Sequence, residues 1–392
     1  AVMKRLLLTA VLLILVMPAP AWAAAEEEPA ELDAAGLAEE IDVSILEQQL
    51  ADMDQWLAEQ DTQLNLSDLW QRLLSGEQEF NWQLIRETLG AVFFGQLRSS
   101  ASLLGQLLLL SLMAVLLTLL KNSFGGVEIA QIGRWVVYLL LLGLAVMAFM
   151  PCLSKAKETV EMLKNMVCAL LPLLVPLLAS LGGITTVSLL DPALLFALSL
   201  LLDLMGSLIF PLICFSAVLN LCGSLSPRIS LAKMAGLFKN IAMGVMGIMV
   251  SLFIAFLGFS GMAAATTDGL AVKAVKSAAG TFIPIVGRSL ADAFDSVLGT
   301  ALILKNTIGL IGVIGIIIIC ALPAVYILLQ ALMFKIAGAV IQPLGEEKLA
   351  EAVSGMGNSL IMLFAALAVS GLFAYFAISL TVSLGNTTMM MR

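Results

Sequence analysis

The chain has 392 residues, 60% of them apolar and 12% charged, with no histidine and a net charge of −8; its mean hydropathy is +1.04. A soluble domain is roughly half apolar and about a quarter charged, so this composition excludes an ordinary water-soluble globule and specifies an all-α polytopic membrane protein. The missing histidine removes the commonest general base, proton relay and metal ligand together.

Lys4 and Arg5 precede the apolar run Leu6 to Met17, which ends at Pro18, Pro20 and the small-residue site Ala21-Trp22-Ala23. This is the layout of a cleavable signal peptide over residues 1–23, and it places the next stretch outside the cytoplasm. Residues 24–98 read as an exported acidic helical segment: between Ala24 and Leu97 seventeen Asp and Glu face only Arg72 and Arg86, while the rest of the chain has eleven acids against eighteen bases. Such a negative segment does not adhere to anionic lipid or nucleic acid. Ser44 and Glu47 have capping-box spacing ahead of Ile45, Leu46, Leu50, Met53, Trp56 and Leu57 at helical period. A second amphipathic helix carries Leu66, Leu69, Trp70, Leu73 and Leu74 and closes at Ser75-Gly76. A third runs from Trp82 through Ile85, Leu89, Phe93 and Leu97 into the first membrane span. The apolar stripes of these helices either pack on one another or the membrane surface, or dock a partner outside the membrane.

Residues 99–392 form the multi-span membrane domain. About seven spans are expected, within a range of six to eight, since a bilayer core of about 30 Å takes about twenty helical residues. They run from Leu103 to Leu120, Trp135 to Leu153, Met166 to Gly183, Ala193 to Cys222, Ile241 to Ala263, Thr307 to Phe334 and Asn358 to Leu384. Pro172 and Pro176 remove two backbone donors from the third, which is expected to bend or to form re-entrant half-helices. Positive charges divide seven against eight between the two sides and leave orientation open. With an exported start, an odd number of spans puts the C-terminus inside and an even number outside. The five cysteines, Cys152, Cys168, Cys214, Cys222 and Cys320, lie in or beside apolar runs and imply no disulfide framework.

Polar groups inside the membrane are costly and therefore informative. Asp203 stands inside the apolar run around Leu200 to Gly206, where a carboxylate costs about 2.5 to 3.5 kcal/mol on insertion scales. It is a hydrated helix end if the run breaks near Gly206 or Pro211, an interhelical hydrogen-bond partner, or a proton or ion site. Phe282 to Val286, with Pro284 at its centre and Gly280 and Gly287 around it, is too short to span. It reads as re-entrant or interfacial, followed by an amphipathic helix from Ser289 to Leu304 with Arg288, Asp292 and Asp295 on one face. Asp203, Pro284, Gly287, Arg288, Asp292 and Asp295 are thus the candidate pore or packing residues, against the plainer reading of solvated faces. Gly309, Gly312 and Gly315 permit close helix approach within the chain. The Lys-Asn pairs at 121, 164, 239 and 305, and Gly357-Asn358, read as interfacial helix starts.

No GxxxxGK[ST], HExxH, CxxC or GxSxG motif occurs, and Asp203 has no second intramembrane aspartate with which to form an aspartyl pair. The sequence therefore presents no catalytic, cofactor-binding or metal-binding residues, and the protein reads as not an enzyme.

The ordered set Leu73-Leu74-Ser75-Gly76-Glu77, Phe282-Ile283-Pro284-Ile285-Val286-Gly287-Arg288-Ser289-Leu290-Ala291-Asp292-Ala293 and Lys305-Asn306-Thr307-Ile308-Gly309 resembles the stage III sporulation protein AE family of endospore-forming bacteria. The resemblance spans essentially the whole chain. It implies a permease-like or export-gate subunit of a transenvelope complex that joins the mother cell to the engulfed forespore. It places the chain in the mother-cell-derived outer forespore membrane. Expected partners are the bilayer, other proteins of the same operon including a secretion-type ATPase and ring-forming proteins, and a forespore membrane partner across the intermembrane space. The exported helices would face that space. A stand-alone secondary transporter for a small solute is the alternative, suggested by Asp203 and the Pro-broken third span.

Overall fold

A computed structural model describes residues 43–60, 65–74, 82–124, 127–180, 184–225, 231–282, 287–344 and 346–390. The expected signal peptide and residues 283–286, Pro284 among them, lie outside these. The described elements are all helical: α1 (Ser44–Glu59), α2 (Leu66–Leu74), α3 (Trp82–Phe124), α4 (Val127–Ser180), α5 (Ile184–Leu204), a π-helical turn (Met205–Ile209), α6 (Phe210–Leu225), α7 (Ala232–Phe282), α8 (Gly287–Ile341), a 3-10 turn (Gln342–Leu344) and α9 (Glu347–Met390).

Six helical runs among the described residues are long and apolar enough to cross a membrane: Phe93–Leu117, Trp135–Ala179, Pro192–Gly223, Ala232–Phe259, Ala301–Leu344 and Glu347–Ser383. The expected second and third spans are one helix, α4. Lys155, Lys157, Glu158, Glu161 and Lys164 suggest a loop by their charge, but Phe149, Cys152, Ala156, Val160, Leu163, Val167 and Leu170 are buried. That is an unbroken stripe at three- and four-residue spacing, and charges on the opposite face do not interrupt it. Pro151, Pro172 and Pro176 are accommodated within the helix, where neighbouring helices can re-satisfy freed backbone groups. Nor is there a separate interfacial helix after Gly287; the backbone from there to Leu304 is the first part of α8 itself.

The antiparallel pair α8 and α9 forms the centre. Their spans are 67% and 61% buried, against 17% for that of α7 at the periphery. In lipid, helices gain little from leaving an apolar solvent, so dispersion and close approach hold them together. Small residues provide that approach: a Cβ on Gly371 would collide with Cys320, and one on Gly357 would lie 3.1 Å from the Ala331 carbonyl. The Gly309, Gly312, Gly315 series is intrachain packing, as its spacing suggests. Three residues advance about 300° around a helix, so successive glycines face different neighbours. Side chains added there would meet Val382 of α9, then Leu170 of α4, then Met166 of α4 with Met53 of α1.

Helices α1 and α2 fold onto this centre, and Leu46, Leu50, Met53, Leu57, Leu66 and Trp70 are all buried. These residues of the α1 and α2 stripes thus pack inside the chain. Val43 occupies the cap position, with no side-chain cap bond; the helix begins at Ser44, so the expected capping box does not form. The α1–α2 turn is fixed instead by Asp54. Its carboxylate accepts from the Leu66 N–H, and from the Ser67 N–H and hydroxyl at 3.0 and 2.6 Å. A carboxylate on a helix N-terminus satisfies donors that otherwise lack partners and opposes the positive end of the helix dipole. Helix α3 runs from Trp82 to Phe124 without a break at residue 98.

Spin labels at Leu139 and Cys168, with the other cysteines replaced, distinguish a continuous α4 from two spans. One helix separates these positions by about 44 Å, whereas a reversal between Leu153 and Met166 would bring them within roughly 20 Å. The longer distance is expected by pulsed dipolar spectroscopy.

Candidate functional site

Asp203 ends α5, and the run around it does not break. The π turn widens the helix by one residue, with the Phe210 N–H reaching the Met205 carbonyl, immediately before Pro211, which has no N–H to offer. Asp203 is paired: Lys164 of α4 donates to both carboxylate oxygens, at 2.7 and 2.8 Å. Charge–charge attraction and geometry therefore answer the question that an intramembrane carboxylate raises. The two side chains are 35% and 58% exposed, so the pair lies on the outer surface of the bundle between α4 and α5, not in a central cavity. Sequence reading placed Lys164 in a loop; in the structure it stands on the same long helix as Lys155.

Lys155 marks where α1 meets the body. Its Nζ donates to Gln60 Oε1 at 3.0 Å and lies 4.9 Å from the centre of the Tyr326 ring, a cation–π arrangement. Lys305 is fully buried, and its Nζ donates to the Val382 carbonyl at 2.9 Å. It ties α8 to α9 and does not reach the interface as its Lys-Asn motif suggests.

A polar cavity of about 160 Å³ lies between α6, α7 and α9, and its lining includes Ser216, Asn220, Lys239, Asn358 and Ser359. Two members of the Lys-Asn and Gly-Asn series, Lys239 and Asn358, thus meet around one space. Periodicity shows which face of one helix a residue takes, not which three helices converge.

The remaining sequence candidates fall wholly or in part outside the described residues. Pro284 lies outside the described residues. Gly287, Arg288, Asp292 and Asp295 belong to the first turns of α8, and their side chains are outside those described.

Long apolar helices, a small-residue centre and few polar groups define an all-helical, multi-span membrane protein. Residues 64–385 match the family model described as stage III sporulation protein AE. The stage III sporulation protein AE of Bacillus subtilis (strain 168) is 33% identical over 319 residues, which cover 81% of this chain and 80% of that protein. No solved structure matches. The chain belongs to the stage III sporulation protein AE family, and its role is in sporulation.

An exposed ion pair contributes about 0 to 1 kcal/mol. A double-mutant cycle of Lys164→Ala and Asp203→Ala, read by thermal unfolding in detergent, is expected to give a coupling below about 1 kcal/mol. A coupling several times larger would mean that the pair is desolvated by lipid or by a neighbouring subunit.

Proposed function

We propose that the protein is a non-enzymatic membrane subunit, of channel, export-gate or scaffold type, in the transenvelope complex that links mother cell and forespore and is required for forespore development. The observation that carries this reading is the family match, which runs from residue 64 to residue 385 and so takes in the whole membrane body. In this reading the chain sits in the mother-cell-derived outer forespore membrane, with residues 24–98 in the space between the two membranes. Its partners are the other stage III operon products, among them a secretion-type ATPase and ring-forming proteins, and a forespore membrane protein.

The packing of α1 and α2 supports a specific form of contact. Their apolar faces are buried, while Glu47, Asp52 and Glu59 are exposed. A partner in the intermembrane space would therefore meet a polar, acidic surface, and electrostatic complementarity would set register and encounter rate more than raw affinity.

The secondary-transporter reading draws on Asp203 as a coupling residue at a discontinuous helix. Its position on the bundle's outer surface, in a salt bridge with Lys164, favours the subunit reading, since a coupling carboxylate needs to exchange its cation or proton in a cavity.

A tagged chain solubilised from sporulating cells is expected to co-purify the other operon products, and Asp203→Asn is expected to leave spore yield within about twofold of wild type. Recovery of the chain alone would overturn the subunit reading. Loss of spores in Asp203→Asn with the chain still in the membrane would favour the transporter.

A further inference from the structure

We propose that the cavity between α6, α7 and α9 is a binding site for a small phosphate-type oxyanion, free or carried on a lipid headgroup, held by Lys239 with the carboxamides of Asn220 and Asn358. The inference goes beyond the subunit reading and does not depend on it.

The first observation is an uncompensated positive charge. Lys239 lines the cavity and forms no ion pair or hydrogen bond with any described residue. A second cation lies on the neighbouring helix: Lys335 of α8, whose Nζ donates to Ser354 Oγ at 3.1 Å. The nearest acid on that face of α9 is Glu351, one turn before Gly355; it is exposed and pairs with neither lysine. An ammonium group that lines a space without a carboxylate among its lining residues gains charge-assisted hydrogen bonds from an anion there.

The second observation is the arrangement of neutral groups. Asn220 and Asn358 line the space without a hydrogen-bond partner among the described residues, so their amide N–H groups are available to oxyanion oxygens. Ser216 donates its hydroxyl to the Ala235 carbonyl at 2.9 Å, and Ser359 donates to the Gly355 carbonyl at 3.2 Å. With their protons committed, these hydroxyls can only accept, which suits the P–OH of a hydrogen phosphate or a headgroup hydroxyl. The wall is built around a missing side chain: a Cβ on Gly355 would collide with the Asn220 amide. The volume of about 160 Å³ suits one tetrahedral oxyanion with a few waters, each of which takes about 30 Å³ in the liquid.

The test uses the full chain purified in a neutral detergent, its thermal unfolding followed while sodium phosphate is titrated against sodium chloride at equal ionic strength. A second arm reconstitutes the chain in nanodiscs of phosphatidylcholine alone or with phosphatidylglycerol. A saturable rise in midpoint in the first arm identifies a free oxyanion, and one that appears only with phosphatidylglycerol identifies a headgroup. In either arm Lys239→Gln is expected to weaken the apparent affinity by about tenfold or more, and Gly355→Ala to weaken it by displacing Asn220. Lys157→Gln, an exposed lysine on α4, is expected to respond as wild type. Absence of saturable stabilisation in both arms, or an unchanged response in Lys239→Gln, would overturn the proposal. Lys239→Gln keeps the test decisive should Gly355→Ala not fold.

Discussion

The close approach of α8 and α9 is the constraint on which the rest of the molecule depends. Helices already surrounded by apolar lipid gain stability mainly where backbones come near enough for dense van der Waals contact. The partner of each glycine is a large side chain or a backbone carbonyl: Gly309 faces Val382, Gly371 faces Cys320, and Gly338 and Gly357 face carbonyls of the opposite helix. Aromatic contacts fasten a third helix to the pair, with the Phe253 and Phe373 rings edge to face at 4.8 Å. Once α8 and α9 are registered, positions for α4 and the α1–α2 hairpin follow, because Leu170, Met166 and Met53 fit into the notches that Gly312 and Gly315 leave.

The hairpin of α1 and α2 shows how this constraint extends beyond the membrane helices. Met53 reaches the gap at Gly315 alongside Met166, and a flexible thioether is suited to filling an irregular space. Asp54, the next residue, turns the chain into α2 by receiving its N-terminal N–H groups. Adjacent residues thus perform two tasks, one apolar and one electrostatic, and together they fix α1 and α2 on the body.

Much of the helical architecture is legible in the sequence because lipid demands long apolar runs. The helices α1 and α2, the continuity from Trp82 into the first span and the intrachain role of the glycine series are all present in the periodicity. The union of the second and third expected spans is not, since a charge cluster signals a loop to a hydropathy window even when a buried stripe from Phe149 to Leu170 continues through it. The same reasoning hid the partner of Asp203: Lys164 lies thirty-nine positions earlier on another helix, and no local pattern encodes that meeting. Lys239, Asn220 and Asn358 are separated in the chain for the same reason, and their meeting appears only when three helices are packed.

Charge is divided within this one chain, and the division has a structural seam. Residues 24–97 carry seventeen acids against two bases, whereas the rest has eleven acids against eighteen. Opposite charges of that extent would be expected to join across many salt bridges, yet among the described residues a polar link at the contact between them is Lys155 with the neutral Gln60, set beside buried leucines and Trp70. Apolar packing therefore holds α1 and α2 to the body, while Glu47, Asp52 and Glu59 remain exposed and Lys239 has no ion-pair partner among the described residues. Charges not used to hold a fold together are available for something else. Acids left exposed, and a lysine left without a counter-ion among the described residues, can each meet a partner of opposite charge.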